Sequence, residues 1–228
     1  MTFQFHFSES GVNLDCLTKG MTHIESDDGG DTWRNLGEPC ALPLTVDNTR
    51  WISECFADPA ASMRIGTHVV DRNDRAWLFA SLPHPDRGVM WRQTDDGWDN
   101  IDLSQVAPGL ALGGGKATAI SYDSSDRIHL LLSTDPEGKI PGWYDPALEL
   151  FHLVFSLDGR LESCKQVSET NPTRAHWLPA IEHWDWCNRR DIGEDGHWYA
   201  YTDGNNAGLM NQTGYDDVLR TDVRLGRL

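Results

Sequence analysis

The chain has 228 residues and carries 19 Lys and Arg against 35 Asp and Glu, which gives a formal net charge of −16. This length allows one large domain, or two small ones, with a real hydrophobic core. Nucleic acids and anionic membranes need a basic footprint, so the acidic balance argues against both as partners. No apolar run approaches the ~20 residues of a bilayer span, and the N-terminal sequence lacks the pattern of an export signal.

The number and spacing of cysteines indicate the state of the thiols, and the content of tryptophan and glycine indicates the class of fold. Five cysteines lie scattered without a CxxC pair, and an odd number cannot pair fully, so we expect buried thiols. Ten tryptophans and 21 glycines occur with little amphipathic helical periodicity. Tryptophan and threonine favour strands, while glycine and aspartate favour turns. The composition therefore predicts an all-β fold of many short strands.

The predicted elements are short strands that fall into four groups along the chain. The first group has three strands, the second and third are complete four-stranded units, and the last again has three. In chain order the strands or groups occupy residues 3–8, 14–26 and 33–36; residues 64–103; residues 116–167; and residues 176–181, 197–202 and 217–225.

Two segments of the middle groups align without a gap at an offset of 52 residues, VVDRNDRAWLFAS at 69–81 and SYDSSDRIHLLLS at 121–133. Each segment reads as a strand, a D-x-x-D-R turn and a second strand that ends on a hydroxyl residue. The same kind of second strand appears in FQFHFS at 3–8 and in HWYAYT at 197–202. Four copies of one unit predict a repeat architecture.

A second recurring element follows the first three copies and is clearest in SDDGGDTW at 26–33, with the order S-x-D-x-G-x-T-W. This motif resembles the Asp-box, or BNR repeat, of sialidase-like β-propellers, where it turns between the third and fourth strands of a blade. We expect its carboxylate to cap turn amides, glycine to supply a positive φ, and tryptophan to pack back onto the blade. Degenerate copies at 94–101 and 156–163 lack the T-W ending.

The resemblance covers the whole chain at the level of fold and implies a β-propeller of four-stranded antiparallel blades. The strands amount to about three and a half to four blades, with no inner strand in the first and no outer strand in the last. We therefore expect residues 1–228 to form a single propeller domain or the C-terminal part of a six- or seven-bladed one. The alternative is that two copies associate to close the ring.

In such a propeller, one face carries the connections between blades and those between the second and third strands, and the Asp-box turns lie on the other. Loops on a rigid scaffold converge on the first face, so a ligand is expected there. The residues of these loops include many cations, imidazoles and aromatic rings, which favour an anionic sugar. The expected substrate-binding residues are Arg64, His84, Lys116, Trp143, Trp177, Asn205, Asn206 and Tyr215.

Among Asp-box proteins the chain most resembles the BNR-type proteins that include ulvan lyases, which cleave uronate-containing polysaccharides by β-elimination. That reaction needs a group to neutralise the uronate carboxylate, a base for the C5 proton and an acid for the leaving oxygen. The resemblance implies that His, Tyr and Arg fill these roles. Loop position and residue type select His68 and His176 as imidazoles, Tyr144 as the phenol and Arg174 as the neutralising group.

Two other functions remain open at this point. One is a sialidase-like glycoside hydrolase, although MRIG at 63–66 lacks the aromatic residue and the proline of that family's F/Y-R-I-P motif. The other is a non-catalytic propeller that binds sugar or serves as a scaffold. The lyase, the hydrolase and the sugar-binding protein would all have an anionic polysaccharide or glycan as their partner. A scaffold propeller would not need one.

No cofactor is expected, and the metal alternatives are minor. His183 and Cys187 offer two donors for a structural zinc, but their spacing matches no compact zinc motif. The acidic pairs inside the Asp-box turns are expected to cap those turns rather than to bind calcium. The resemblance implies a secreted or periplasmic protein, whereas the absent signal peptide and the unpaired cysteines favour the cytoplasm.

Overall fold

The computed structural model of the chain describes residues 1–8, 17–83, 87–107, 118–137, 145–183, 197–204 and 221–228. Within these residues the protein is all-β, with sixteen strands and one short helix arranged in four antiparallel sheets. None of the helical structure in these ranges is long and apolar enough to cross a membrane.

Each sheet uses consecutive strands of the chain. The first contains β1 (Thr2–Phe7), β2 (Leu17–Glu25), β3 (Trp33–Asn35), β4 (Glu38–Cys40) and β5 (Ser53–Glu54). The second contains β6 (Arg64–Val70), β7 (Ala76–Leu82), β8 (Arg87–Thr94) and β9 (Gly97–Asp102), followed by the helix α1 (Leu103–Val106). The third contains β10 (Thr118–Tyr122), β11 (Arg127–Thr134), β12 (Glu149–Ser156) and β13 (Leu161–Gln166). The fourth contains β14 (His176–Ile181), β15 (Trp198–Gly204) and β16 (Thr221–Arg227).

The four sheets follow one another in the manner of propeller blades. Their strands are ordered as in the sequence, and the first strands of neighbouring sheets touch, since β6 contacts both β1 and β10, and β10 contacts β14. At Gly66 the approach between β6 and β10 is so close that a side chain would collide with Thr118. The described residues thus form a row of four blade-like sheets, without a closed ring among them.

The first sheet has more strands than the sequence pattern predicts. Three strands were expected there, and the structure adds β4 and β5. The strand β4 returns from a two-residue turn in which Leu36 and Gly37 both have positive φ, 51° and 85°. The two-residue strand β5 pairs with Gly20 and Met21 of β2, on the same edge as β3 but along a part that β3 does not cover. Strands this short carry no periodic signal in the sequence.

The turn between β2 and β3 is closed by its own side chains. Asp28 accepts hydrogen bonds from the hydroxyl and amide of Thr32 and from the Ser26 hydroxyl, the last two at 2.9 and 2.8 Å. These bonds hold the pKa of the Asp28 carboxyl well below its usual range. Gly30 has φ 101° and its carbonyl accepts from the Trp33 indole at 3.0 Å. The carboxylate thus caps an amide of the turn, the glycine supplies a positive φ, and the tryptophan bonds back to the turn itself.

The D-x-x-D-R turn between β6 and β7 is also built from side-chain caps. Asp71 Oδ1 accepts from the amides of Asn73 and Arg75 at 2.8 and 3.2 Å, and its Oδ2 accepts from the Trp77 indole at 3.1 Å. Asp74 has φ 58°, a conformation that aspartate tolerates better than most residues. The turn is thus specified by local chemistry, which explains why it repeats 52 residues later.

The largest part of the core lies between the second and third sheets. Trp77, Phe79 and Met90 of the second sheet pack against a face of the third that includes Leu130 and Phe155. All five side chains are almost completely excluded from solvent. Burial of a large apolar side chain contributes roughly 1.5–3 kcal/mol, so this contact holds the two sheets together.

His23 of β2 is buried between the first and second sheets, with its ring 5.4 Å from the Trp98 ring. Its Nδ1 lies 3.1 Å from the Thr2 hydroxyl, and its Nε2 lies 4.0 Å from Glu25. Burial, together with the positive charges of the N-terminal amine and His68, lowers the pKa of His23 from 6.5 to about 3. The folded protein therefore keeps this imidazole neutral in mild acid.

The variant His23→Gln should be less sensitive to mild acid than the wild type. Below pH ~6.5 the unfolded chain takes up a proton at His23 that the folded protein rejects, which costs about 1.4 kcal/mol of stability per pH unit. This loss begins as the pH falls through ~6.5 and ends near the folded pKa of about 3. We expect urea unfolding at pH 7 and pH 5 to show a loss about 2 kcal/mol smaller in the variant. Equal losses would contradict the assignment.

Candidate functional site

Polar side chains from several strands meet at one end of the third and fourth sheets. Glu149 is the first residue of β12, His176 is the first residue of β14, and Asp203 lies near the end of β15. Because neighbouring strands are antiparallel, the starts of β12, β14 and β16 lie at the same end as the finish of β15. The predicted ligand-binding connections belong to this end of the sheets.

A cavity of about 400 Å³ opens at this end. A larger recess of about 770 Å³ lies beside the turn between β2 and β3, where Gly30 and Trp33 form part of its wall. The charged groups of that recess are largely paired with one another, because Arg34 contacts both Glu25 and Asp27 and the N-terminal amine donates to the Ile24 carbonyl. The smaller cavity is the better site, because its walls include Arg174, His176, Tyr199, Tyr201, Asp203 and Arg224.

His176 is held in one orientation by a buried carboxylate. Its Nδ1 lies 2.8 Å from Glu149 Oε2, and both side chains are at most 4% exposed. Glu149 also accepts from the Ser168 hydroxyl at 2.5 Å and from the amide of Asn171 at 3.2 Å. A carboxylate surrounded by donors acts as an acceptor, so Nδ1 of His176 carries the proton. The lone pair of a neutral imidazole is then on Nε2, which lies 3.7 Å from an oxygen of Asp203.

Two guanidinium groups flank the imidazole and share one carboxylate. Nε of Arg174 lies 3.0 Å from Asp203 Oδ1 as an ion pair, and Asp203 Oδ2 accepts a hydrogen bond from Nε of Arg224 at 2.8 Å. Arg174 also donates a hydrogen bond to Asp222 at 3.0 Å. The hydrogen bond from Arg224 to Asp203 raises the pKa of the Arg224 guanidinium. Arg174 is the more enclosed, with 24% of its side chain exposed against 52% for Arg224. The more open guanidinium is therefore the one better placed to meet a ligand.

Tyr201 completes the cavity beside the imidazole. Its ring stands edge-on to His176 at 5.3 Å between centroids, and it stacks on Tyr199 at 6.1 Å. Burial, with Tyr199 and the negative charge of Asp203 close by, raises the pKa of Tyr201 above its usual value. The phenol therefore keeps its proton at neutral pH and can serve as a donor.

The structure places the residues selected from the sequence in different surroundings. Arg174 and His176 line the cavity, whereas the described lining includes neither Arg64 nor His68 of β6. The pKa of His68 is lowered by burial and by the N-terminal amine and His183, so these are its electrostatic neighbours. The remaining selected residues lie outside the described residues: His84, Lys116, Trp143, Tyr144, Asn205, Asn206, Tyr215 and, among the metal candidates, Cys187.

Trp177 is not available as a stacking platform. Its side chain is nearly buried and packs with Leu148 and Ala175 in a small apolar cluster. A sugar ring needs an open aromatic face, and Trp177 offers almost none. The tryptophan stabilises the strand that carries His176, and the open aromatic residues of the cavity are tyrosines.

The residues that were not selected from the sequence include Glu149, which bonds to His176 from outside the cavity lining, and the lining residues Tyr201, Asp203 and Arg224. A signal for Glu149 was present, since a lone carboxylate begins the apolar strand ELFHLVFS. Asp203 lies near the end of β15, the second strand of its sheet. In the propeller architecture expected from the sequence, the connection that follows such a strand lies on the ligand-binding face, so this signal could have found Asp203. Tyr201 and Arg224 lie within strands, where an alternating pattern does not say which residues border a cavity.

Comparison with known proteins does not identify a function for the chain, so a functional assignment depends on the chemistry of the site. No model of a known protein family matches the chain, and no curated protein matches it either. The Asp-box resemblance therefore has no independent support from these comparisons.

Proposed function

We propose that this protein is a carbohydrate-active enzyme that cleaves a uronic-acid-containing polysaccharide by β-elimination in the cavity at His176. The observation that carries the proposal is the Glu149-oriented imidazole, which shares one cavity with a protonated phenol and two guanidinium groups. These are the residue types that elimination next to a carboxylate requires. The partner is accordingly an anionic polysaccharide.

We further propose that the four sheets are blades of a sialidase-like β-propeller. The row of antiparallel sheets supports this, as does the capped S-x-D-x-G-x-T-W turn between β2 and β3. In this fold the cavity lies on the face where inter-blade connections converge, which is the usual position of ligand sites on rigid scaffolds.

His176 and Tyr201 are the base and the acid of the proposed reaction. Nε2 of His176 takes the proton from C5 of the uronate, because its Nδ1 proton is held by Glu149. The electrons of the C5–H bond form the C4–C5 double bond as the bond from C4 to the glycosidic oxygen breaks. The Tyr201 hydroxyl protonates that leaving oxygen, and its raised pKa ensures that the proton is present.

Arg224 is the proposed contact for the uronate carboxylate. Loss of the C5 proton leaves negative charge on the carboxylate, and a guanidinium with two parallel donors stabilises it. Arg224 is bound through Nε to Asp203 and is half-exposed, and in this proposal its terminal nitrogens are the donors to the carboxylate. Arg174, selected for this role from the sequence, bridges Asp203 and Asp222 and acts as a positioning residue.

The proposal is tested by ultraviolet absorbance during incubation of the purified chain with ulvan and a panel of other uronic-acid polysaccharides. Elimination creates a double bond conjugated with the carboxylate, which absorbs, whereas hydrolysis does not. We expect the absorbance to rise with at least one polymer. New reducing ends without absorbance would instead show a hydrolase, and binding without cleavage would show a sugar-binding protein. Either result would overturn the elimination.

A further inference from the structure

A cluster of buried histidines lies at the opposite end of the third and fourth sheets from the cavity. Asp123 follows β10, His129 lies in β11, His152 in β12, and His197 just before β15. His129 Nε2 lies 3.0 Å from Asp123 Oδ2, and His129 Nδ1 lies 2.9 Å from His152 Nε2. The His197 ring is tilted by 33° against the His129 ring, with 4.1 Å between their centroids. All four residues are at most 5% exposed.

The cluster leaves imidazole nitrogens without partners in a buried place. His197 Nδ1 faces the carbonyl of Glu182 at 3.4 Å, an acceptor only, so this nitrogen carries the proton. His197 Nε2 then holds a bare lone pair, and it has no hydrogen-bond partner among the described residues. His152 Nδ1 is likewise without a partner there. A buried polar atom without a hydrogen-bond partner destabilises the fold, so both nitrogens are candidates for a ligand that the protein binds.

The turn itself does not need these histidines. The matching turn of the second sheet has Trp77 in the position of His129, and its indole donates to Asp71 at 3.1 Å. The carboxylate caps two amides in both turns. The third sheet thus keeps the turn but replaces an indole, which cannot bind a metal, by an imidazole, which can.

We propose that Asp123, His129 and His197 bind a divalent transition-metal ion, with zinc as the ion that fits best. One carboxylate oxygen and two imidazole nitrogens of these residues already lie within 4.8 Å of one another. Two imidazoles and a carboxylate suit zinc better than calcium or magnesium, which prefer all-oxygen sites. Bonds of ~2.0–2.2 Å to zinc would draw the three donors closer together. This inference is independent of the proposed elimination.

Metal binding would give His197 Nε2 a partner and would keep the hydrogen bond between His129 and His152, while His152 Nδ1 would still have no partner among the described residues. His129 would coordinate through Nε2 and move its proton to Nδ1, where it donates to His152 Nε2. His152 in turn carries its proton on Nδ1, so no proton leaves the site. His197 already has the second-shell bond typical of a ligand, from Nδ1 to a carbonyl. Its bare Nε2 becomes the third donor.

Arg127 is the group that competes with the metal. Its Nε donates to Asp123 Oδ2 at 2.8 Å and its Nη2 lies 2.7 Å from the same oxygen, which is the one that would bind the ion. The Arg127 side chain is 46% exposed, so it can turn into solvent. Asp123 stays in place when it does, because its Oδ1 is held by the amides of Ser125 and Arg127.

The test is calorimetric titration of the full chain with Zn²⁺ after chelator treatment, together with its melting temperature. We expect one Zn²⁺ per chain and a higher melting temperature with the ion. His197→Ala and His129→Gln should weaken binding at least tenfold, and His152→Gln about 10–100-fold through loss of the supporting bond. The matched control is His23→Gln, a buried histidine of the first sheet, which should bind as the wild type does.

Absence of Zn²⁺ binding by the wild type would overturn the proposal, as would binding that the cluster variants leave unchanged. If a variant does not fold, the absorbance spectrum of Co²⁺ bound to the wild type still tests the proposal, because the spectrum reports which donor atoms hold the ion. The proposed site has nitrogen and oxygen donors only, so its Co²⁺ spectrum should lack a thiolate charge-transfer band. Such a band would place the ion on a cysteine and contradict the assignment.

Discussion

Replacing His176 by glutamine should lower the turnover of the cleaved polysaccharide by roughly 10²–10⁴-fold, the range that a general base contributes. Glutamine has a similar length and can still bond to Glu149, but it has no lone pair basic enough to take the C5 proton. We expect the effect mainly in kcat, because the imidazole acts on the reacting atom and not on substrate binding. Initial rates of ultraviolet absorbance measure both parameters.

The matched control for this variant is Leu178→Ala. Leu178 lies two residues further along β14 with half of its side chain exposed, so its change tests the same strand without the imidazole. We expect near wild-type turnover for Leu178→Ala and a melting temperature close to wild type for His176→Gln. Turnover within twofold of wild type in His176→Gln, or parallel losses of turnover and melting temperature, would contradict the role of His176 as base.

Phe155→Ala should destabilise the protein by about 3–5 kcal/mol, the range for removing a buried phenylalanine from a packed core. Phe155 is fully buried in β12, in the cluster that joins the third sheet to the second. A cavity there cannot collapse easily, because Trp77 and Leu130 are themselves held by their strands. At ~2–4 °C per kcal/mol for a chain of this size, the melting temperature should fall by roughly 6–20 °C.

Leu225→Ala provides the contrast for this prediction. Leu225 is a large apolar residue in β16 that is 73% exposed, so its truncation leaves no cavity. We expect it to change stability by less than ~0.5 kcal/mol. Equal melting temperatures for the two variants would mean that the second and third sheets do not share the core described here.

The sheets of the middle of the chain could be predicted because their information is local. Asp71 and Asp123 cap their turns with bonds to amides two and four residues away. Such turns can be recognised from a few adjacent residues, and they define the strands on either side. The short strand β5 escaped prediction because it exists only through pairing with β2, more than thirty residues earlier in the chain.

The site could be predicted only in part because it is assembled from distant segments. Arg174 and His176 were selected by their position before an inner strand, and both line the cavity. Glu149 lies 27 residues from His176 and belongs to another sheet, so no spacing rule connects the two. Trp177 was selected for its ring, but its neighbour Leu148 comes from a different segment and encloses it. Burial of this kind depends on the packing of sheets, which a single sequence does not specify.

Elimination at His176 is tested most directly by the masses of the products formed from a defined uronate oligosaccharide. Elimination splits the chain without adding water, so the two product masses sum to the mass of the substrate. Hydrolysis adds one water to that sum. We expect an unsaturated fragment and products without added water, and we expect both to disappear with His176→Gln. Products that contain the added water, or unsaturated products formed equally by His176→Gln, would contradict it.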